Sequence, residues 1–276
     1  MTGRTIERAT GVDIALGAFS ALVFFFLVAP IAIIVVVSLG HSEIMQFPPK
    51  ALSLRWYERF FADPMWMQAA RTSLLAAVLT AITSLLLGFS ASVVLVRGKF
   101  AGKAAIRLLL MSPLIVPKII IAVGLYFLYV ELRMLGTLTG IVAAHTVIAV
   151  PYVIMIMSAA LYGFDRRLEW AARGLGASTS QVLRNVTFPV LRPAIMSATL
   201  FAFVASFDDI ILSLFLTKLA EPTLPRQIWV NVQQTIDPTI AAVSTLTTLV
   251  SVGGLWLVAW TQKRYSGAKQ AVANGG

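Results

Sequence analysis

The chain has 276 residues, 58% of them hydrophobic and only 12% charged. Soluble domains carry about 25% charged residues, and the 22 bases and 12 acids here are too few to wet the surface of a soluble fold of this length. Composition therefore excludes an ordinary soluble enzyme and a disordered chain, and the lack of any cysteine excludes a disulfide scaffold.

The charges are gathered between long apolar runs. Charge-free stretches cover Ile14–Ser42, Thr72–Val96, Met134–Phe164 and Pro238–Gln262, of 29, 25, 31 and 25 residues. Each exceeds the ~20 residues that a helix needs to cross a hydrocarbon core of ~30 Å. Leu108–Leu132 and Pro193–Thr217 are equally apolar except for Lys118 and Glu131 in the first and Asp208 and Asp209 in the second. A helix satisfies its own backbone in lipid, and the ten-residue alternation of barrel strands is absent from the sequence. The pattern predicts an all-α integral membrane protein with six transmembrane helices, near 14–39, 69–96, 108–132, 137–160, 193–217 and 239–262.

The first span follows Arg4 and Arg8, as a signal peptide would. It is too long for one and lacks a small-residue cleavage site, so it reads as retained after a tail of residues 1–13. Arg55–Phe61 reads as a short outer helix that lies on the membrane or meets a protein partner, with membrane contact favoured. Trp56, Trp66, Trp256 and Trp260 fall near span ends and read as interfacial anchors. Pro113 and Pro117 loosen the third span, because each removes a backbone donor. Gly136-x-x-x-Gly140 is a weak signal for close helix packing. His145 in the fourth span and His41 in an outer loop stand far apart, so no transition-metal site is expected.

Orientation follows from counting bases by side. With the amino terminus inside, the inner segments hold 14 bases against 4 acids, a balance of +10, and the outer segments hold 7 against 6. The inner set runs from Arg4 and Arg8 through Arg97, Lys99, Lys103 and Arg107 to Lys263, Arg264 and Lys269. The basic excess is thus a topology signal with both termini cytoplasmic, and no nucleic-acid partner is implied. The membrane-spanning body is 14–262 and the tail 263–276 is cytoplasmic.

The long inner segment 161–192 reads as two short helices. Asp165 is a candidate N-cap, and Leu168, Ala171, Ala172 and Leu175 follow on one helical face. Gly176 supplies the turn. Ser178 and Gln181 make a capping box for a second helix carrying Val182, Leu183 and Val186, which Pro189 is expected to break. From the spacing alone this unit is either a loop lying on anionic headgroups or a docking surface for a partner.

Trp170-Ala171-Ala172, three residues, Gly176, nine residues, then Val186-Thr187-Phe188-Pro189 resembles the EAA motif of ABC importer permeases. That motif reads Glu-Ala-Ala, three residues, Gly, nine residues, Ile-x-Leu-Pro. Trp170 replaces the motif's Glu, Val186 and Phe188 replace Ile and Leu, and Glu169 stands one place early. Leu54-Arg55-Trp56-Tyr57, Asp208-Asp209, Thr223-Leu224-Pro225 and Asp237-Pro238 also look like the spermidine/putrescine-type permeases, with similarity over roughly residues 50–262. The resemblance implies a type I importer permease that pairs with a second permease, as a heterodimer, in the bacterial inner membrane. It also implies a cytoplasmic ATPase dimer that binds ATP and magnesium, and a periplasmic solute-binding protein. This chain itself holds no cofactor and no phosphate loop, since neither Gly98-Lys99 nor Gly102-Lys103 has the surrounding pattern. It implies further that Glu169, Trp170, Ala171, Ala172, Gly176, Val186, Phe188 and Pro189 belong to the surface that the ATPase drives.

Charges inside spans mark function because they are costly there. Asp208 or Asp209 either lines a route that attracts a cationic solute or forms a structural bond with Lys118. An unpaired Lys118 repels a polycation. It therefore points to a zwitterionic or anionic solute such as an opine or phosphonate, unless it is buried against one of the aspartates. The leading expectation is alternating-access import of a small polar amine such as a polyamine. The rival from another class is an integral-membrane enzyme, for which only Asp208, Asp209 and Lys118 are available.

Overall fold

The computed structural model describes residues 11–218, 221–234 and 237–274, and these divide into two units. Arg4 and Arg8 lie outside the described residues, as do the side chains of Lys263, Arg264 and Lys269. Among the described residues the structure is helical apart from an isolated bridge between Gly40 and Leu52. Five helices are long and apolar enough to cross a membrane, and a bent pair brings the number up to six.

One unit comprises 11–62 and 231–248. Its α1 (Gly11–Ser38) is apolar all round, with Phe24, Phe25 and Phe26 all exposed, which suits a helix whose solvent is hydrocarbon. The following loop folds back through bonds from His41 N to Ala51 O and from Ser53 N to Leu39 O. In α2 (Arg55–Ala62), Trp56 is buried and donates from Nε1 to Gly40 O at 2.8 Å. Trp56 is thus a core residue of this unit and not an interfacial anchor. Arg59 pairs with Asp237 at 3.4 Å.

The other unit comprises 63–230 and 249 onward. Asp63 caps α3 (Pro64–Arg97), accepting from Met65 N and Trp66 N, and Pro64 fills the first helical position. This cap starts the helix five residues before the expected span. Trp66 is buried here, against the interfacial expectation. The inward face of α3 is a row of small residues, Ala69, Ser73, Ala76, Ala77, Thr80, Ala81, Ser84, Gly88 and Ser92, at spacings of three and four. Without a hydrophobic driving force between helices in lipid, such residues gain by letting backbones approach. The approach is closest at Gly88, where an added Cβ would stand 2.7 Å from Val153 Cβ.

The expected third span is broken. It consists of α4 (Lys103–Met111), a 3-10 turn at Ser112–Leu114 and α5 (Lys118–Glu131), with a bend of 98° between the two helical arms. Pro113 and Pro117 account for the break, since neither supplies the N–H that would carry the helix through. Next, α6 (Leu138–Tyr162) is the most enclosed helix and packs between α3 and α9 (Phe188–Phe207). Gly136 and Gly140 serve the turn before α6 rather than helix packing. Gly136 has φ of 71° and donates to Leu216 O, and a Cβ on Gly140 would strike Met134 O.

Two short helices, α7 (Arg167–Gly174) and α8 (Thr179–Val182), lead through a π-helical turn at Leu183–Thr187 into α9. Pro189 therefore does not break the chain as expected. It lies in the first turn of α9, where its missing N–H costs little, and Pro193 lies inside the helix. The expected fifth span ends at Phe207, with Asp208–Ile210 as a break before α10 (Ile211–Leu216). The connection after α10 contains α11 (Leu224–Gln234), which the sequence pattern did not predict, and the last helix is α12 (Thr239–Asn274).

Candidate functional site

The residues singled out by sequence fall into two clusters, both in the larger unit. The first is the 163–189 segment. Asp165 accepts from Arg167 N at 2.9 Å and so caps α7. At the other end, Gly176 has φ of 85°, Gly176 N donates to Arg173 O and Ala177 N to Ala172 O. This double closure is the Schellman arrangement that favours glycine. Nothing lies within 4 Å of a Cβ built on Gly176, so the turn alone demands the residue. Ser178 and Gln181 form the reciprocal capping box.

The apolar face of α7 points outward. Leu168 and Trp170 are exposed and Leu175 is 90% exposed, while Val182 of α8 is buried. Ala171 and Gly176 are exposed and Ala172 half-buried. Phe188 is exposed on one side and stacks on Phe89 with ring centroids 5.7 Å apart, beside exposed Pro189 and half-buried Val186. In contrast, the acidic residue of the first turn of α7 points inward. Glu169 is only 5% exposed, and its Oε1 accepts from Arg97 Nη2 at 2.9 Å and from Thr187 Oγ1 at 2.7 Å. Burial pushes the Glu169 carboxyl up, but the bonds from Thr187 and Arg97 and the charges of Arg97 and Arg166 outweigh it and hold the group below its ordinary range. The Arg97 guanidinium also lies 5.8 Å from the ring centre of buried Phe164. Arg97 and Thr187 were not among the residues the sequence singled out. A base at the end of a span reads as a topology charge, and Thr187 occupies a variable place in the motif.

The second cluster joins the two helix breaks. Lys118, first residue of α5, donates from Nζ to Asp209 Oδ2 at 2.8 Å. Asp209 is buried, and its Oδ1 accepts from Leu212 N at 2.8 Å, capping α10. The carboxylate thus satisfies one helix start and neutralises the residue at another. Asp208 caps the end of α9 with its backbone, and its side chain is exposed and makes no ion pair among the described residues. The two adjacent acids are therefore separated in role by the break: one is enclosed and paired, the other faces outward. Behind them, buried His145 Nδ1 lies 2.7 Å from Ser206 Oγ, tying α6 to the end of α9. No group of His, Asp or Glu side chains suited to a metal occurs among the described residues.

Comparison with known proteins agrees with this arrangement. Residues 84–267, about two thirds of the chain, match the family model described as binding-protein-dependent transport system inner membrane component. The chain is 34% identical over 245 residues to the putrescine transport system permease protein PotI of Escherichia coli, covering 86% of each chain. It is 31% identical over 235 residues to the spermidine/putrescine transport system permease protein PotC of Haemophilus influenzae, covering 85% of this chain and 91% of the other. In fold it is similar to a chain of a bacterial ABC transporter involved in the import of the acidic polysaccharide alginate. That match has a TM-score of 0.69 at 16% identity and covers 91% of this chain and 98% of the other. Permeases of this kind work with a second permease, an ATPase and a binding protein. They are not enzymes, because ATP hydrolysis resides in the separate ATPase subunit. The integral-membrane-enzyme reading thus falls away: the chain belongs to the family of inner membrane components of binding-protein-dependent transport systems, and is a permease subunit of an ABC importer.

Proposed function

We propose that the permease imports a small amine-bearing solute, a polyamine or a close relative, into a bacterial cell. Similarity to putrescine and spermidine/putrescine permeases over some 86% of the chain carries this reading. The exposed carboxylate of Asp208 at a helix break suits a cationic solute, since helix breaks expose backbone polar groups and concentrate ligand contacts in membrane carriers. Lys118 is engaged by Asp209 and so lends no weight to an anionic solute. The subunit pairs with a second, non-identical permease and receives solute from a periplasmic binding protein. It has both termini in the cytoplasm, where segment 161–192 seats on the ATPase dimer. Leu168, Trp170 and Leu175 supply an apolar surface for that contact, and Ala171, Ala172 and Gly176 let the partner approach closely. ATP-driven closure of the ATPase then moves the segment and rocks the spans between outward and inward access.

The test is reconstitution of the permease with its partner permease, ATPase and binding protein in vesicles. Uptake of labelled putrescine or spermidine, with stimulation of ATP hydrolysis by the loaded binding protein, is the expected outcome. Uptake of an opine or phosphonate in their place would overturn the solute class. Within the same system, Gly176→Asp strains the turn at φ of 85° although no neighbour meets the new side chain, so its assembly is checked by co-purification of the ATPase. It abolishes solute-stimulated ATP hydrolysis by placing a charge on the docking face.

A further inference from the structure

We propose that Glu169 is a positioning residue that transmits motion of the docking segment simultaneously into α3 and α9. The inference rests on the reading that segment 161–192 meets the ATPase, and it concerns what lies behind that surface. One carboxylate oxygen accepts from both Arg97, the last residue of α3, and Thr187, the last residue before α9. These are two of the three helices that pack together in the bundle, α3, α6 and α9. The acid is buried, so it is unavailable to the partner, while its neighbour Trp170 faces out and is 60% exposed. A push on the Trp170 and Leu175 face therefore reaches the bundle through Glu169.

The two arms differ in stiffness. Arg97 is fixed by a charge-assisted bond and by the Phe164 ring, so α3 follows Glu169 directly. Thr187 closes a π-helical turn, a widened ring of backbone bonds that tolerates local change in winding. The α9 arm thus allows rotation or lengthening where the α3 arm does not. Trp170 stands at the motif's acidic place, so a polar contact from that position to the partner is lost. The acid at 169 instead makes a contact inside the subunit.

The experiment uses the reconstituted four-component importer and reads solute transported per ATP hydrolysed, alongside co-purification of the ATPase. Thr187→Val removes the hydroxyl donor with little change in shape, and Thr187→Ser restores it. Glu169→Gln keeps an acceptor but removes the charge that holds Arg97. The expected result is an assembled complex in which Thr187→Val and Glu169→Gln lower transport per ATP about tenfold, the scale of an ordinary coupling free energy. Thr187→Ser should stay near wild type. The proposal is overturned by an unchanged transport ratio in both variants, or by losses of transport and ATP hydrolysis in equal proportion as expected of a brace. If the wild-type importer itself shows no ATP hydrolysis stimulated by loaded binding protein, it is the underlying importer reading that fails.

Discussion

Two buried carboxylates, Glu169 and Asp209, are each held by a base and a second donor, yet they do different work. Glu169 ends a chain of polar contacts between a surface helix and two long helices, and Thr187 and Arg97 share its single oxygen. Asp209 uses its two oxygens separately, one for Lys118 and one for the first turn of α10. The first arrangement joins a surface helix to the end of one long helix and to the π-turn that opens another. The second replaces continuity, because both Lys118 and Asp209 sit where a helix has stopped. A shared oxygen links motions, whereas a split carboxylate repairs a break.

The largest effect that would sharpen this contrast comes from removing each base. Lys118→Met leaves a buried aspartate charge at a helix break and is expected to cost roughly 3–5 kcal/mol, the usual penalty for orphaning a buried ion. Arg97→Met leaves Glu169 with Thr187 and the nearby charge of Arg166, and is expected to cost roughly 1–3 kcal/mol. Thermal unfolding of the detergent-purified complex measures both, and an inverted order would break the comparison. A smaller effect follows from pH. The Glu169 carboxyl is depressed in the folded protein, so its stabilising contribution is fully present above the ordinary value of 4.5 and is lost as pH falls through the lowered one. Protease protection of the 163–189 segment should therefore hold steady between about pH 8 and pH 5 and fall at more acid pH, with Glu169→Gln insensitive throughout. Smallest in stability is Asp208→Asn, within about 0.5 kcal/mol for an exposed side chain. Its signature is functional: uptake of a dication falls while the unfolding temperature stays put. Unchanged uptake removes Asp208 from the solute route.

Five of the six expected long helices were legible because charge-free length is a direct reading of what lipid permits. The glycine turn and capping box at 176–181 were legible too, since both are set by residues within a few positions of each other. Breaks inside apolar runs were hidden. Lys118 and Asp209 lie 91 positions apart, so two costly charges in separate spans gave no sign of neutralising each other. The 98° bend had its signal in Pro113 and Pro117, but composition alone does not distinguish a kink from a reversal of direction. Likewise Glu169 looked like a displaced motif residue because its partner, Arg97, stands 72 positions earlier. The buried tryptophans Trp56 and Trp66 misled for a related reason: nearness to a span's end does not say whether the ring faces lipid or protein.

The contact between Gly88 and Val153 has a mechanical consequence. With Val153 Cβ 2.7 Å from where a side chain at 88 would begin, α3 and α6 mesh too closely there to admit any larger residue without a shift. These two helices are expected to travel together, which cross-linking α3 to α6 at this contact without loss of uptake would check. The joints are then left to the places where the backbone ladder is already interrupted, the proline break at 112–117, the π-turn at 183–187 and the aspartate break at 208–210.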